Sequence, residues 1–341
     1  MFAADKKKIT KGQFFTKTAY WLKPQIIDFI KNSKCNIAYD PYAGGGDLLK
    51  CAPLYGITRT KGLDIDPSLG WEINDGLYKI PHIDNAIIIT NPPYLSNYSA
   101  ARKKLLGEVK HYFENSKYDD LYLIALARML EAQDYIVAIV PETFINSSFS
   151  QKNRLHSITI LEENPFKDTD TPVCVVCFDK QEKNLSKVKV YKNTESAPDL
   201  GGLESLRPVV HKTLKVSFNV MNAWLGLRAV DTTNPENMIR FDFKEKFDYD
   251  WAKGIKTSSR LLSVIDVNIP LKDRQRFIDL CNENLQELRK QTQDIILSPF
   301  KGNMRNGVRR RRLDFYTARA ILEKSYFCLN GDMENEQLGL L

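Results

Sequence analysis

Asn91-Pro92-Pro93-Tyr94 follows the apolar run Ala86–Thr90 without a break. Neither proline can donate a backbone hydrogen bond, so a strand must end here and present Asn91 at its carboxyl end. An amide in that position is either a turn residue or a group aimed at a ligand. Asp40 and Asp64 close two earlier apolar segments in the same way, and Asp75 follows in "NDGLY". Asp40 opens "DPYAGGGDLL", whose glycines let the backbone turn tightly and come close to a ligand before a helix beginning near Asp47. The turn lacks the Gly-Lys-Ser/Thr ending of a phosphate-cradling loop. Asp64, at the tip of the next strand, is placed to accept hydrogen bonds from ribose hydroxyls, a pattern that suits an adenosine-containing cofactor.

These residues can meet only if a sheet aligns the strand ends. "NIAYDPYAGGG", "TKGLDIDPS", "AIIITNPPY" and "YIVAIVPETF" each read as a buried strand ending in a polar or turn-forming cluster. The stretches between them are long enough for helices, and in "DDLYLIALARMLEAQD" apolar residues recur at helical spacing. The expected fold is α/β, a Rossmann-like, mainly parallel, doubly wound sheet. In such sheets ligands bind beyond the carboxyl ends of the strands. "VCVVCFD" is expected to close one edge as an antiparallel hairpin with "HSITILEE". From about Thr194 the sequence turns to "TESAPDLGGLESLRP", a boundary between a domain of residues 1–193 and a smaller C-terminal α+β domain, 194–341. In the latter, Phe277, Leu280, Cys281, Leu285 and Leu288 share one side of a helix.

The chain has 341 residues, 43% hydrophobic and 27% charged, an ordinary globular composition. No apolar run is long enough to span a membrane, and no apolar stretch follows the lysines at 6–8 as in a secretory signal, so a cytoplasmic protein is expected. The six cysteines are scattered and read as free thiols. Cys174 and Cys177 lie three apart on a β-branched strand and point to opposite faces, so no metal site is expected.

With the turn, the acid-tipped strands and the NPPY loop in one order, the chain resembles an S-adenosylmethionine-dependent DNA adenine-N6 methyltransferase. "DPYAGGG" matches the cofactor turn and "NPPY" the catalytic loop. "KGQFFTK", Lys11 to Lys17, resembles the segment that closes over the methionine part of the cofactor, and this motif order is that of the gamma subgroup, which includes restriction-modification methylases. The resemblance covers Lys11 to Asp179. It implies S-adenosylmethionine held by Phe14, Phe15, Thr16, Asp40, Ala43, Gly44, Gly46, Asp64, Ile65 and Asp75. It also implies catalysis by Asn91, Pro92 and Tyr94, with Pro93 and Phe166 against a base flipped out of its duplex. Tyr94 would offer a ring to receive that base, and Phe166 would contact its other side.

The substrate is less directly written. The same loop occurs in relatives that methylate RNA adenine or protein glutamine, although the latter carry their recognition region before the cofactor turn. The net charge of +7 suits a polyanionic partner. Lys301, Arg305, Arg309, Arg310, Arg311 and Arg312 fall in one stretch with Gly302 and Gly307, either a solvated face or a loop for a nucleic-acid groove. Duplex DNA is the expected substrate, with a restriction endonuclease as a functional partner. An RNA adenine methyltransferase and a non-catalytic nucleic-acid-binding module are the alternatives.

Overall fold

Continuous apolar segments, unlike alternating ones, need a sheet covered on both faces. The computed structural model describes residues 19–166, 169–255 and 261–331 and divides into two units, Met1–Gly201 and Gly202–Leu341. In the first, helix α1 (Pro24–Asn32) opens on a proline, whose missing N–H is harmless in a first turn, and buries Ile26, Phe29 and Ile30. Strand β1 (Ile37–Asp40) is followed by β2 (Arg59–Asp64), the short β3 (Glu72–Ile73) and β4 (Ala86–Thr90). Helices α2 (Asn97–Arg102), α3 (Leu106–Glu114) and α4 (Leu121–Ala132) lead into β5 (Ile136–Pro141). All pairings among β1 to β5 are parallel, and β4, buried along its whole length, lies between β1 and β5. The tips of β1, β2 and β4 therefore point the same way.

Strands β6 (Leu155–Leu161) and β7 (Val173–Phe178) pair antiparallel, as their sequence predicts. Contrary to the expectation, β7 does not form the edge: it inserts between β5 and β6. Every residue of "VCVVCF" is buried, so the strand has no polar side to show water. The edge belongs to β8 (Lys189–Lys192) and β9 (Glu195–Ser196), where lysines and a glutamate suit solvent. The full order is β3-β2-β1-β4-β5-β7-β6-β8-β9. The expected helix after the glycine turn is a 3₁₀ helix, Leu49–Tyr55, with Pro53 inside it; proline lacks the N–H that an α-helix would need there.

The sheet runs past the expected boundary at 193/194 because β9 still pairs with β8. Helix α5 (Leu200–Ser205) spans the division between the units. The second unit carries an antiparallel sheet of β10 (Val216–Phe218), β11 (Leu225–Arg228), β12 (Arg240–Phe243) and β13 (Leu262–Val267), in the order β10-β13-β11-β12. Helix α6 (Arg274–Gln291) buries the predicted stripe, and its Asn282 exchanges hydrogen bonds with the Phe241 backbone at 3.0 and 2.9 Å. A hairpin of β14 (Ser298–Asn303) and β15 (Arg309–Arg312) precedes helix α7 (Phe315–Leu329). No helix among the described residues is long and apolar enough to cross a membrane.

Candidate active site

Asp40 ends β1 with its carboxylate only 2% exposed. Its Oδ1 accepts from Thr90 Oγ1 at 2.6 Å and from the Tyr42 N–H at 3.0 Å, which ties the tip of β1 to that of β4. Burial pushes its pKa up to about 7; the two hydrogen bonds oppose that rise and the nearby Asp64 adds to it. A carboxyl whose folded pKa is raised contributes stability that is fully present below its unfolded value and is lost as pH rises through the folded one. We expect thermal stability to fall between about pH 4 and about pH 7 by on the order of 2–4 kcal/mol from this group. Asp120, raised to about 6 by burial and by Asp119, acts in the same direction. Asp40→Asn mimics the protonated form and should flatten much of that slope in melting curves recorded across the range.

The glycine turn is fixed by two side chains. Asp64 Oδ2 accepts from the Gly44 N–H at 2.8 Å, while its Oδ1 accepts from the Asp66 N–H at 2.9 Å. Trp71 donates its indole N–H to the Gly44 carbonyl at 2.9 Å. The two peptide groups that flank the Gly44 Cα are thus each held, and Gly44 sits at φ +53°, in the left-handed region. The same indole lies against Gly62, where a Cβ would come within 2.6 Å of the ring. Gly62→Ala should therefore displace Trp71 and release the Gly44 carbonyl. The expected loss is about 1–3 kcal/mol of stability, with a change in tryptophan fluorescence, both read in one thermal melt.

The strand tips and this turn open onto a pocket of about 260 Å³. Asp40, Ala43, Gly44, Asp64, Ile65 and Asp75 line it; Gly46 is buried behind, against Trp71. Asp75 Oδ2 accepts from Tyr112 Oη at 2.7 Å and its Oδ1 from the Leu77 N–H at 3.1 Å. Phe14, Phe15 and Thr16 lie outside the described residues.

Asn91 and Pro93 stand on the pocket wall, and Pro92 is buried between them. Tyr94 Oη lies 2.5 Å from Asn91 Oδ1 and 2.7 Å from the Ile139 carbonyl of β5. Burial keeps the phenol's pKa well above its usual value, so Tyr94 stays protonated and is no base at neutral pH. Phe166 does not face an open base site. It is 5% exposed, within the apolar cluster, and meets the Tyr94 ring edge-on at 6.2 Å. A phenylalanine beside a strand with no polar face is drawn into the core, where it backs Tyr94.

Residues 78–169 match the family model of the Eco57I restriction-modification methylase. The chain resembles the restriction-modification methylases. No curated protein matches it. Among solved structures it is similar to one described as a class I S-adenosylmethionine-dependent methyltransferase from Listeria monocytogenes, at 14% identity and TM-score 0.35, covering 53% of this chain and 66% of that one. A type I restriction-modification system methyltransferase subunit from Streptococcus thermophilus has 16% identity and TM-score 0.38, with coverage of 52% and 47%. An rRNA methylase from Streptococcus thermophilus has 16% identity and TM-score 0.27, with coverage of 46% and 94%. The chain spans less than two-thirds of the length of the first two.

S-adenosylmethionine is the cofactor that such a methylase segment implies, and the pocket residues fit it. Asp40, Asp47, Asp64, Asp66, Asp75 and Glu108 line the cavity, a field that favours a cationic ligand and opposes a phosphate. The Tyr42 hydroxyl is buried at this pocket without a hydrogen-bond partner among the described residues, an opening for a polar ligand atom. Sequence reasoning missed Tyr42, Tyr112 and Trp71. The first stood in plain view inside the glycine turn; the others lie in segments with no motif.

In the second unit the basic stretch is not uniformly exposed. Lys301 and Arg305 face solvent, and Gly302 and Gly307, at φ +72° and +84°, shape the β14–β15 hairpin. Arg309 and Arg311 are buried, the latter 1% exposed, and so do not present the nucleic-acid-binding groups expected of this stretch. Successive side chains of a strand face opposite ways, which sends alternate arginines of "RRRR" inward. Arg310 and Arg312 are half-buried; Arg310 donates to the Asp231 carbonyl at 2.8 Å and lies 4.8 Å from the Phe300 ring centroid.

Proposed function

We propose that this chain transfers a methyl group from S-adenosylmethionine to the N6 amine of an adenine flipped out of duplex DNA, with residues 202–341 serving target recognition. The observation that carries the reading is Asn91, held at the carboxyl end of β4 on the wall of an acid-lined pocket. A cytoplasmic modification enzyme paired with a restriction endonuclease is the setting that this reading fits.

Bound in the pocket, S-adenosylmethionine supplies a methyl carbon made electrophilic by its positive sulfur. Asp64 and Asp75 would hold it by charge and by hydrogen bonds, Asp40 would face it from the tip of β1, and the clamped Gly44 backbone would fix the wall it lies against. An adenine amine is a weak nucleophile because its lone pair is delocalised into the ring. The Asn91 side-chain oxygen and the Pro92 carbonyl accept its two hydrogens, which favours a more tetrahedral nitrogen and stabilises the charge that develops on it.

Tyr94 orients the amide. Its phenol O–H lies between Asn91 Oδ1 at 2.5 Å and the Ile139 carbonyl at 2.7 Å, which pins the amide at the tip of β4 and leaves a second lone pair of the Asn91 oxygen for a substrate amine. Extruding the base takes a few kcal/mol, least where stacking is weak.

The experiment supplies S-adenosylmethionine carrying a labelled methyl group to the chain with unmethylated genomic DNA and, separately, with structured RNA, and then identifies the labelled nucleoside. N6-methyladenine in DNA is the expected product. Label confined to RNA, or to cytosine, overturns the assignment.

A further inference from the structure

The segment immediately after the catalytic loop has no role in the chemistry above, yet its surface is unusual. Tyr98 is 75% exposed, and Ala101, Arg102, Lys103 and Lys104 are all exposed beside it. The segment is firmly anchored. Leu95 and Ala100 are buried, the Asn97 N–H donates to the Asp119 carbonyl at 2.8 Å, and the Leu121 N–H donates to the Leu95 carbonyl at 3.1 Å. Ser96 caps α2 by accepting from the Ser99 N–H at 3.2 Å. Lys104 takes a left-handed backbone, φ +58°, which turns the chain back into α3.

Tyr98 and Arg102 are one helical turn apart and share a face. Tyr98 is four positions beyond Tyr94, so their Cα atoms lie within about 14 Å of each other even if the chain is fully extended. That is close to the width of a DNA major groove, roughly 12 Å. At that separation a duplex delivering a base to Asn91 can reach this surface. An anchored aromatic with adjoining cations is the pairing that engages nucleic acid by stacking and by phosphate neutralisation. Asp119 lies by the first turn of α2, and the cations stand at the other end.

We propose that Tyr98, Arg102 and Lys104 form a DNA contact on the catalytic unit itself, separate from the β14–β15 hairpin. Tyr98 stacks on a base or sugar beside the extruded adenine, and the two cations hold flanking phosphates. The inference rests on the proposed function, since it presumes a nucleic-acid substrate.

The test uses the full chain and a fluorescein-labelled 30-bp duplex, titrated at several salt concentrations. In the double variant Arg102→Gln/Lys104→Gln, the slope of log K against log[salt] should shrink by about 1.8, from about 0.9 for each of two phosphates. Tyr98→Ala should weaken binding about fivefold to a hundredfold, the range for loss of one stacked base, and Tyr98→Phe should restore it. S-adenosylhomocysteine binding, measured by calorimetry, and melting temperature should stay at wild-type values. An unchanged slope with wild-type affinity in Tyr98→Ala, while the parent chain still methylates DNA, overturns this contact and leaves the enzyme reading intact. If the parent chain neither binds nor methylates duplex, the underlying reading fails instead.

Discussion

Asn91→Ala is expected to lower the single-turnover rate of methyl transfer by two to three orders of magnitude, about 2.7–4 kcal/mol, while cofactor affinity stays within about threefold of wild type. The separation follows from geometry. The acids and the Gly44 backbone proposed to hold the cofactor are fixed by Thr90, Asp64 and Trp71, and none of those bonds involves Asn91. In the proposed mechanism the alanine removes the acceptor for the reacting nitrogen and, with it, the side chain that Tyr94 contacts. Asn91→Asp keeps an acceptor, to which the Tyr94 phenol can donate, so it should retain far more activity than alanine. Calorimetry with S-adenosylhomocysteine and rapid-quench transfer assays separate the two effects. Transfer at wild-type rate in the alanine variant would remove Asn91 from the mechanism.

The features of this site that were legible in the sequence are those with a local signature. Asn91, Asp40 and Asp64 could be placed because each ends an apolar strand, and parallel pairing brings such ends together whatever the rest of the chain does. The glycine turn was legible because three glycines in a row are uncommon outside a tight bend. Trp71 was not. A single aromatic in a loop carries no periodicity, and its role depends on the space that Gly62 and Gly46 leave beneath the ring. Phe166 illustrates the reverse case, since a motif-like position was assigned to contact a flipped base whereas it packs with Tyr94 in the apolar cluster. The run Arg309–Arg312 read as one charged patch because composition was weighed ahead of strand alternation. The backbone of its inward member Arg311 is also fixed by the Asp231 carboxylate, which is distant from it in sequence.

The Asp231 carboxylate makes a second large effect predictable. Arg289 of α6 is buried and forms a bidentate pair with the fully buried Asp231, both bonds at 3.0 Å, while its Nε donates to Asp294 at 2.7 Å. Asp231 also accepts from the Ile239 N–H at 2.9 Å and the Arg311 N–H at 3.0 Å, and its own N–H donates to the Arg311 carbonyl at 3.0 Å. One carboxylate therefore joins α6, β15 and the chain leading into β12. Arg289→Ala leaves that carboxylate buried beside backbone donors alone, and breaking one side of such a pair typically destabilises by about 3–5 kcal/mol. The second unit should consequently melt at a markedly lower temperature, with the β14–β15 hairpin losing amide-exchange protection first. Replacing both partners by apolar residues, Arg289→Met with Asp231→Leu, removes the uncompensated charge but orphans the Ile239 and Arg311 amides, so it should recover only part of the loss. Full recovery in the double variant would mean that the pair's value lies in charge balance alone. Wild-type stability in Arg289→Ala would mean that water or a rearranged Arg311 reaches Asp231, and that the hairpin is held by something other than this network.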